Sequence, residues 1–565
     1  MRFKILRFFF LGFLATITLR LFYWQIIQSD KLQARAEVQH LKNESVLAQR
    51  GKILFSDGSI LASNSPSFLL FGQPKILSAE EKESNSTKLA RVLSKGVEEE
   101  LEIKKKLIND FSQDLYWVPI NKNIDINTKK NIEALSLKGI GFVVSSSRFY
   151  PESSSSAHLL GFLGSNNKGE STGYFGLEGY YDGELKGLAG SIRLEKDAQG
   201  LPILIGNFLT KEARNGKDLT LNIDRTIQFI IEQNLKKGIE KYGAKSAMAI
   251  VMEPKSGNIL AMASFPSYDP ADFTKYPKEY YKNPLVADQY EPGSTFKVLV
   301  MAAALNEDVV KPDTKCDICK GPINLGGFTI RTWNNQYEED PTMTDVIVHS
   351  DNTGMVFSAK KIGLDKLYKY IEDYGFGSPT DIDLQDEFSP DLRPKNSWRE
   401  IDLATAAFGQ GVAVTPIQMV RAVSAIANGG KLMEPHVVAA ISDISSTFEI
   451  KPKVVKEVIR PSSAKSITEM MVKAVEEGEA KWAKPKGYKI AGKTGTAQIP
   501  IAGHYDPNKT IASFVGFAPA DDPKFVMIVR YDEPTSSIFG AETAAPTFFE
   551  IAKELFIYYK IAPNE

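Results

Sequence analysis

Ser294 and Lys297 lie three residues apart in Tyr290-Glu291-Pro292-Gly293-Ser294-Thr295-Phe296-Lys297, and the apolar run VLVMAAAL follows. Pro292-Gly293 break the preceding chain, so a helix is expected to open here. On that helix Lys297 sits one turn on from Ser294 and on the same face. A serine hydroxyl is a poor nucleophile until a base takes its proton. A lysine can be that base when burial or a second cation lowers its pKa. In the first turn the Ser294 N–H has no helical partner and is free to point at an oxyanion. Downstream, Ser350-Asp351-Asn352-Thr353-Gly354 offers a hydroxyl to relay a proton to a leaving amine and an amide to bind a peptide group. Gly492-Lys493-Thr494-Gly495-Thr496-Ala497 reads as a strand edge. There Lys493 supplies a cation for a carboxylate, Thr494 and Thr496 supply hydroxyls, and Thr496 adds a second backbone donor. Each element alone recurs by chance on helices, caps and loops, whereas the three in this order are far more specific.

Two other patterns compete for these residues. Gly487 to Thr494 satisfies the phosphate-loop pattern G-x-x-x-x-G-K-[ST] letter by letter. A phosphate loop must open into a helix, however, and here Gly495 and Pro500 interrupt a stretch that reads as strand then turn. His349 adjoins Ser350 and invites a Ser-His-Asp reading, but Ser294 is not in a G-x-S-x-G elbow, so His349 is expected to pack or be solvated.

These motifs need a frame to hold them. Ser246–Met252 and Asn258–Ser264 read as a hairpin, and Tyr488–Gln498, Thr510–Phe517 and Lys524–Tyr531 as three later strands. Between them the chain is helical and Ala-rich, as in Ile401–Ala407 and Gln418–Asn428, and Phe548–Lys560 gives a closing amphipathic helix. The two strand groups can meet in one antiparallel sheet with a helical subdomain inserted, the site lying at the sheet–helix seam. Upstream, residues 45–63 carry a hairpin pattern about Ser56-Asp57-Gly58. Ala79 to Asp110 is expected to be helical and heavily charged, its Glu98–Glu100 and Lys104–Lys106 runs forming a solvated helix face. Ser145–Ser147 and Ser153–Ser156 read as loop, and Gly161 to Gly190 as turns in an irregular, mostly β region.

The 565 residues are enough for two or three domains, and 43% apolar with 24% charged is an ordinary globular balance. Lys plus Arg total 68 against 69 acidic residues, a net charge of −1, which argues against a polyanion binder. Two cysteines, Cys316 and Cys319, exclude a disulfide scaffold and a four-cysteine zinc site. They leave two readings, a local disulfide or two thiols in a loop. Phe8 to Ile27 reads FFFLGFLATITLRLFYWQII, a span that would rise about 30 Å as a helix. Arg20 can snorkel beside Tyr23 and Trp24, and Arg2, Lys4 and Arg7 suggest an inside N-terminus, against which Lys31 and Arg35 weigh. A cleaved signal peptide would need Ala34-Arg35-Ala36 as its site, which lies too far beyond the apolar core and contains a charge. The expected reading is a single-pass anchor with the remainder outside the cytoplasm.

S-x-x-K, S-D-N and K-T-G, here at Ser294, Ser350 and Lys493, form the signature of penicillin-binding proteins and class A β-lactamases. With them the chain resembles a class B penicillin-binding protein, a bacterial peptidoglycan D,D-transpeptidase. Arg50-Gly51-Lys52-Ile53 with Gly58 and Leu61-Ala62, Ala157 to Gly164 and Gly176-Leu177-Glu178 are similar to motifs of the family's pedestal, or dimerisation, domain. Thr220 to Asp224 with Gln228, Phe408 to Gly411 with Thr415-Pro416, and a C-terminal stretch ending in Ala544-Ala545-Pro546 resemble later ones, the last most like the cell-division (septal) branch. The resemblance implies an α/β multidomain fold: residues 1–7 cytoplasmic, 8–27 a transmembrane helix, 28–215 a β-rich elongated pedestal and 216–565 a transpeptidase domain like the serine β-lactamases, an antiparallel five-stranded sheet flanked by helices. No glycosyltransferase domain is expected before the pedestal and no repeat module after the transpeptidase domain.

The resemblance also assigns roles. Lys297 would deprotonate Ser294, which attacks the penultimate D-Ala carbonyl of a stem peptide. Ser350, with Lys493 nearby, would pass a proton to the leaving D-Ala, and Asn352 would orient the donor. Lys493, Thr494, Gly495 and Thr496 would form the substrate-binding and oxyanion strand. No metal or organic cofactor is implied. The implied partners are stem peptides ending in D-Ala-D-Ala, β-lactams, the membrane, a polytopic glycan polymerase and division proteins, with no nucleic acid. Gly478-Glu479-Ala480 stands where many relatives have Gly-Thr-Ala, a departure that touches local packing. A serine β-lactamase would need E-x-x-L-N between the second and third motifs, and Glu400-Ile401-Asp402-Leu403-Ala404 lacks the Asn. An elongation-type transpeptidase and a non-catalytic, β-lactam-binding scaffold are the remaining alternatives.

Overall fold

The computed structural model describes every residue except 33–34, 36–40, 168, 196–208, 502–503 and 564–565. The described chain divides into two units, Met1–Gly51 with Lys186–Gly216, and Lys52–Leu185 with Lys217–Glu565. In the first, helix α1 (Arg2–Phe22) continues as one π-helical turn, Tyr23–Ile27. The helix begins before the predicted span because Arg2, Lys4 and Arg7 are themselves good helix formers. Its 26 residues are long and apolar enough to cross a bilayer, and none of them is buried. The Arg20 guanidinium lies 5.7 Å from the Trp24 ring centre, as expected of a cation held beside an interfacial aromatic. Leu41–Val46, Gly190–Glu195 and Leu209–Lys211 form a three-stranded antiparallel sheet in the same unit. Ala34 and Ala36 of the weighed cleavage triplet lie outside the described residues.

The second unit opens with the predicted hairpin: Ile53–Leu54 pairs with Ile60–Gly72 about a turn in which Asp57 accepts from the Ser59 N–H at 2.8 Å. The charged helical stretch is helical as expected, in two pieces, Ala79–Leu93 and Val97–Ser112. Ser78 and Glu81 close a capping box on the first, and Gly96 caps the second. Glu98, Glu99 and Glu100 then fall in a first helical turn, where carboxylates suit the helix dipole. Ser145–Ser147, expected as loop, is strand: Ile140–Phe149 pairs with Ile60–Gly72 from Ser63↔Phe149 to Gly72↔Ile140. A ladder uses backbone groups alone, so a run of serines does not interrupt it. The Gly-rich segment is only partly β, with one hairpin (Phe162–Ser165 and Ser171–Tyr174) followed by short helices Gly176–Tyr180 and Asp182–Lys186.

Arg148 donates to Glu178 at 2.6 Å, and both side chains are buried. The bond ties the Arg148-Phe149-Tyr150-Pro151 stretch to Gly176-Leu177-Glu178. Glu178→Ala removes the carboxylate partner of a buried guanidinium and is expected to cost about 3–5 kcal/mol, read as a lowered urea midpoint at constant slope.

A seven-stranded sheet runs across the sequence boundary near residue 216. Its order is Thr447–Glu449, Val438–Ser442, Asp218–Leu221, Ile53–Leu54, Ile60–Gly72 and Val118–Ile124, with Ile140–Phe149 also on Ile60–Gly72. Asp218–Leu221 runs parallel to Ile53–Leu54, with Leu219 opposite Ile53. Asp383 reinforces this region by accepting from the Val437 and Val438 N–H groups and from the Tyr181 hydroxyl.

The remaining elements form the frame of the candidate site: α2 (Arg225–Tyr242), β1 (Ser246–Met252), β2 (Ile259–Phe265), α3 (Lys297–Asn306), α4 (Met343–Val348), α5 (Asn352–Ile362), α6 (Pro416–Ala427), α7 (Pro461–Glu477), β3 (Ala491–Ile501), β4 (His504–Ala518), β5 (Phe525–Asp532) and α8 (Ala544–Tyr558). The five strands make one antiparallel sheet in the order β2-β1-β5-β4-β3, so the hairpin and the three later strands meet as expected. β1 alternates: Met248, Ile250 and Met252 enter one core, Ala247, Ala249 and Val251 the other. Ile227, Ile231 and Leu235 of α2 and Phe548, Phe549 and Leu555 of α8 fill the second core. α3, α6 and α7 cover the opposite face through Val298, Val420 and Ile467. Nine of the ten α3 residues are buried, because VLVMAAAL is apolar on all sides and so makes a central helix. β3 closes the sheet as an edge strand, and the site lies along it.

Candidate active site

The turn that carries Ser294 is a 3-10 turn, Gly293–Phe296, running directly into α3 at Lys297. Thr295 Oγ1 donates to the Pro292 carbonyl at 2.7 Å, and the Gly293 N–H donates to the Gly409 carbonyl at 3.2 Å. The first bond closes the turn on itself, and the second anchors it on the Phe408-Gly409-Gln410-Gly411 loop. Glu291 adds a clamp, accepting from the Gly411 N–H at 2.9 Å and the Tyr505 hydroxyl at 3.1 Å. Ser294 is half-buried at the head of this turn.

Lys297 is fully buried, and its Nζ donates to Ser350 O at 2.6 Å and Asn352 Oδ1 at 2.7 Å and lies 3.2 Å from Ser350 Oγ, a hydroxyl that can accept from it or donate to it. One ammonium-sized group therefore joins the first two motifs. Burial pushes the Lys297 pKa well below the usual lysine range, and the Lys493 charge pushes it further down, against Asp351 and Glu479. That lowering favours the neutral amine, the form that can act as a base, one turn on from Ser294.

The second motif owes its shape to Asp351. Its carboxylate caps α5, accepting from the Thr353 N–H and hydroxyl at 2.7 Å each. Ser350, between α4 and α5, has φ of 57°, a conformation few non-glycine residues adopt outside functional turns. This turns its carbonyl and hydroxyl onto Lys297. Asn352 Nδ2 donates to the Arg331 carbonyl at 2.8 Å, so the amide is held at both ends.

Lys493 lies on β3, opposite Val515 of β4, and is buried. Its Nζ donates to Thr494 Oγ1 at 3.1 Å. Burial pulls its pKa down to about 8, partly offset by Glu479. Among the described residues no hydrogen bond joins Lys493 to Ser350, whose partner is Lys297. Thr496 O lies 3.4 Å from where a Cβ on Gly293 would stand. In an antiparallel strand the N–H and C=O of one residue point the same way, so the Thr496 N–H also faces the Ser294 turn. Thr496 Oγ1 accepts from the Gly540 N–H at 3.0 Å, which leaves its own proton free to donate. Thr494 and Gly495 complete this edge.

The geometry disposes of the competing patterns. Lys493 and Thr494 sit within a strand rather than at a helix N-terminus, so Gly487–Thr494 does not form a phosphate loop. His349 is exposed, 3.4 Å from Glu338. Glu400 pairs with Lys360 at 2.9 Å on the surface, and Asp402 with Arg393 at 3.0 Å. Cys316 and Cys319 form a disulfide, both residues buried.

Spacing alone misses Glu291, Gly409, Asp351 and Arg331, which hold the motif residues. It also misses Trp333 and Phe539, whose rings meet edge to face at 5.8 Å. Trp333 follows Arg331, the partner of Asn352, and Phe539 precedes Gly540, the partner of Thr496. The ring pair therefore runs from the Asn352 side of the cleft to the Thr496 side.

Residues 247–553 match the family described as Penicillin binding protein transpeptidase domain. The chain belongs to the penicillin-binding proteins. Residues 45–221 of this penicillin-binding protein match the Penicillin-binding Protein dimerisation domain, the pairing that defines class B members. Stage V sporulation protein D of Bacillus subtilis is 37% identical over 97% of this chain and 84% of its own length. Peptidoglycan D,D-transpeptidase FtsI of Buchnera aphidicola is 30% identical over 98% of this chain and 94% of its own. Among solved structures, penicillin binding protein 2X from Streptococcus thermophilus aligns with a TM-score of 0.73 at 27% identity, covering 92% of this chain and 80% of that one.

Proposed function

We propose that this penicillin-binding protein is a membrane-anchored D,D-transpeptidase that crosslinks peptidoglycan stem peptides at the septum through an acyl-enzyme on Ser294. The observation that carries the reading is Lys297: a fully buried amine, bonded to Ser350 and Asn352, one turn from Ser294. The names of the relatives supply the substrate class, peptidoglycan.

Neutral Lys297 takes the Ser294 proton as Oγ attacks the penultimate D-Ala carbonyl carbon. The oxyanion is met by the Ser294 and Thr496 N–H groups, while Lys493 and the Thr494 and Thr496 hydroxyls hold the terminal carboxylate. Ser350 hands the proton from Lys297 to the leaving nitrogen as the C–N bond breaks, releasing D-Ala. An acceptor ammonium then gives one proton to solvent, and the free amine attacks the ester carbon; the C–O bond breaks, a second proton passes from the amine nitrogen to Ser294 Oγ, and the third stays on the new amide. The chain would stand with residues 1–7 in the cytoplasm, 8–27 in the cell membrane, and the pedestal (28–215) and transpeptidase domain (216–565) outside. α1 and the pedestal are the surfaces for a glycan polymerase and division proteins.

The test incubates the full-length protein in detergent with uncrosslinked glycan strands bearing pentapeptide stems, followed by muramidase digestion. Dimeric muropeptides that penicillin suppresses are the expected result. A persistent penicillin adduct without dimers would favour a β-lactam-binding scaffold, and rapid release of hydrolysed drug a β-lactamase. The sporulation name of the 37%-identical relative favours a second setting for the same chemistry, sporulation; a depletion strain that divides normally but fails to sporulate would select it over the septum and over elongation.

A further inference from the structure

Helix α7 ends at Glu477, and Gly478 turns the chain with its N–H on the Ala474 carbonyl at 3.2 Å. A Cβ at Gly478 would stand 3.0 Å from Val348 O and 2.3 Å from Ala474 O, so the backbone here is pressed onto the end of α4, two residues before Ser350. Glu479 follows and is exposed. Its charge reaches both Lys297 and Lys493, yet among the described residues it has no ion pair and no hydrogen bond. Asp351, the other carboxylate acting on Lys297, is committed to capping α5. Glu479 is thus the carboxylate of this cluster with no internal partner, at the position where a threonine is expected from the family pattern.

An unpartnered carboxylate next to the Gly478 turn, where the backbone meets the end of α4 just before Ser350, has a use in the second half of the reaction. A primary alkyl amine is an ammonium at neutral pH, and it must approach an acyl-serine flanked by Lys493 and, after proton uptake, Lys297. Like charges brought together in a cleft repel. We propose that Glu479 is a positioning residue for the acceptor, drawing the protonated amine of a second stem peptide to the Ser350 side of the cleft and holding it there until it is deprotonated for attack. The inference rests on the acyl-transfer reading above.

The test uses the full-length protein acylated by a thioester stem-peptide analogue, with glycinamide as cationic acceptor and methanol as uncharged acceptor. The readout is the ratio of acceptor transfer to hydrolysis of the same acyl-enzyme. Glu479→Gln is expected to lower the glycinamide ratio about fivefold, the scale of one partly exposed ion pair, and more than the methanol ratio. Glu479→Lys should lower it further, Glu479→Asp should restore most of it, and added salt should erode the wild-type preference. Equal falls for both acceptors, or no change in either, would overturn the role, since a packing defect does not discriminate by charge. Absence of any acyl-enzyme in the wild type would instead overturn the acyl-transfer reading itself.

Discussion

Ser294→Ala is expected to abolish covalent uptake of penicillin, with no mass increment on the variant under conditions that fully label the wild type. A missing nucleophile leaves only binding and oxyanion stabilisation, and the acylation rate should fall by at least about 10⁴-fold. The fold should survive, because Ser294 is half-buried and the turn is held by Thr295, Gly293 and Glu291 through bonds that bypass its side chain. An unchanged melting temperature therefore separates loss of chemistry from loss of structure. Label on the alanine variant would move the nucleophile elsewhere, and Ser350 would be the first residue to test, since its hydroxyl also meets Lys297.

What was legible in the sequence was local. Ser294 and Lys297 are one helical turn apart, Ser350 and Asn352 flank one cap, and Lys493 to Thr496 share one strand, so spacing along the chain already gave their geometry. The central strands were legible for a related reason: Ser246–Met252 is buried on both faces and is apolar without interruption. Contacts between distant segments were not. The bond from Lys297 to Asn352 spans 55 positions and that from Glu291 to Gly411 spans 120, and nothing in either residue's neighbourhood names its partner. The serines at 145–147 misled because their polarity reads as loop, whereas pairing along Ile60–Gly72 needs only their backbone. The break at Gly96 was hidden by charge runs that suit a helix on either side of it. Glu479 read as a packing variation because the segment that Gly478 packs against, the end of α4 before Ser350, is remote in sequence.

Removing the base gives the second large effect, and pH gives its signature. Lys297→Ala is expected to slow acylation by about 10²–10⁴-fold, the range for a positioned general base, with substrate capture through Lys493 retained. In the wild type the two lysines must differ in charge: Lys297 neutral to accept the Ser294 proton, Lys493 cationic to hold a carboxylate. Lowering pH protonates Lys297 and stops acylation on the acid side. That limb lies well below the ordinary lysine range, because burial and the Lys493 charge both disfavour the second cation. Raising pH through about 8 discharges Lys493 and weakens capture of the carboxylate, so the rate falls again. The profile of acylation against pH should therefore be a bell whose alkaline limb lies near pH 8. Lys493→Arg, whose cation persists at all accessible pH, should remove that limb while leaving the acid one. Glu479→Gln should move the alkaline limb to lower pH, since the Glu479 charge favours the protonated form of Lys493. A rate that climbs monotonically past pH 10 in the wild type would refute the division of labour between the two lysines.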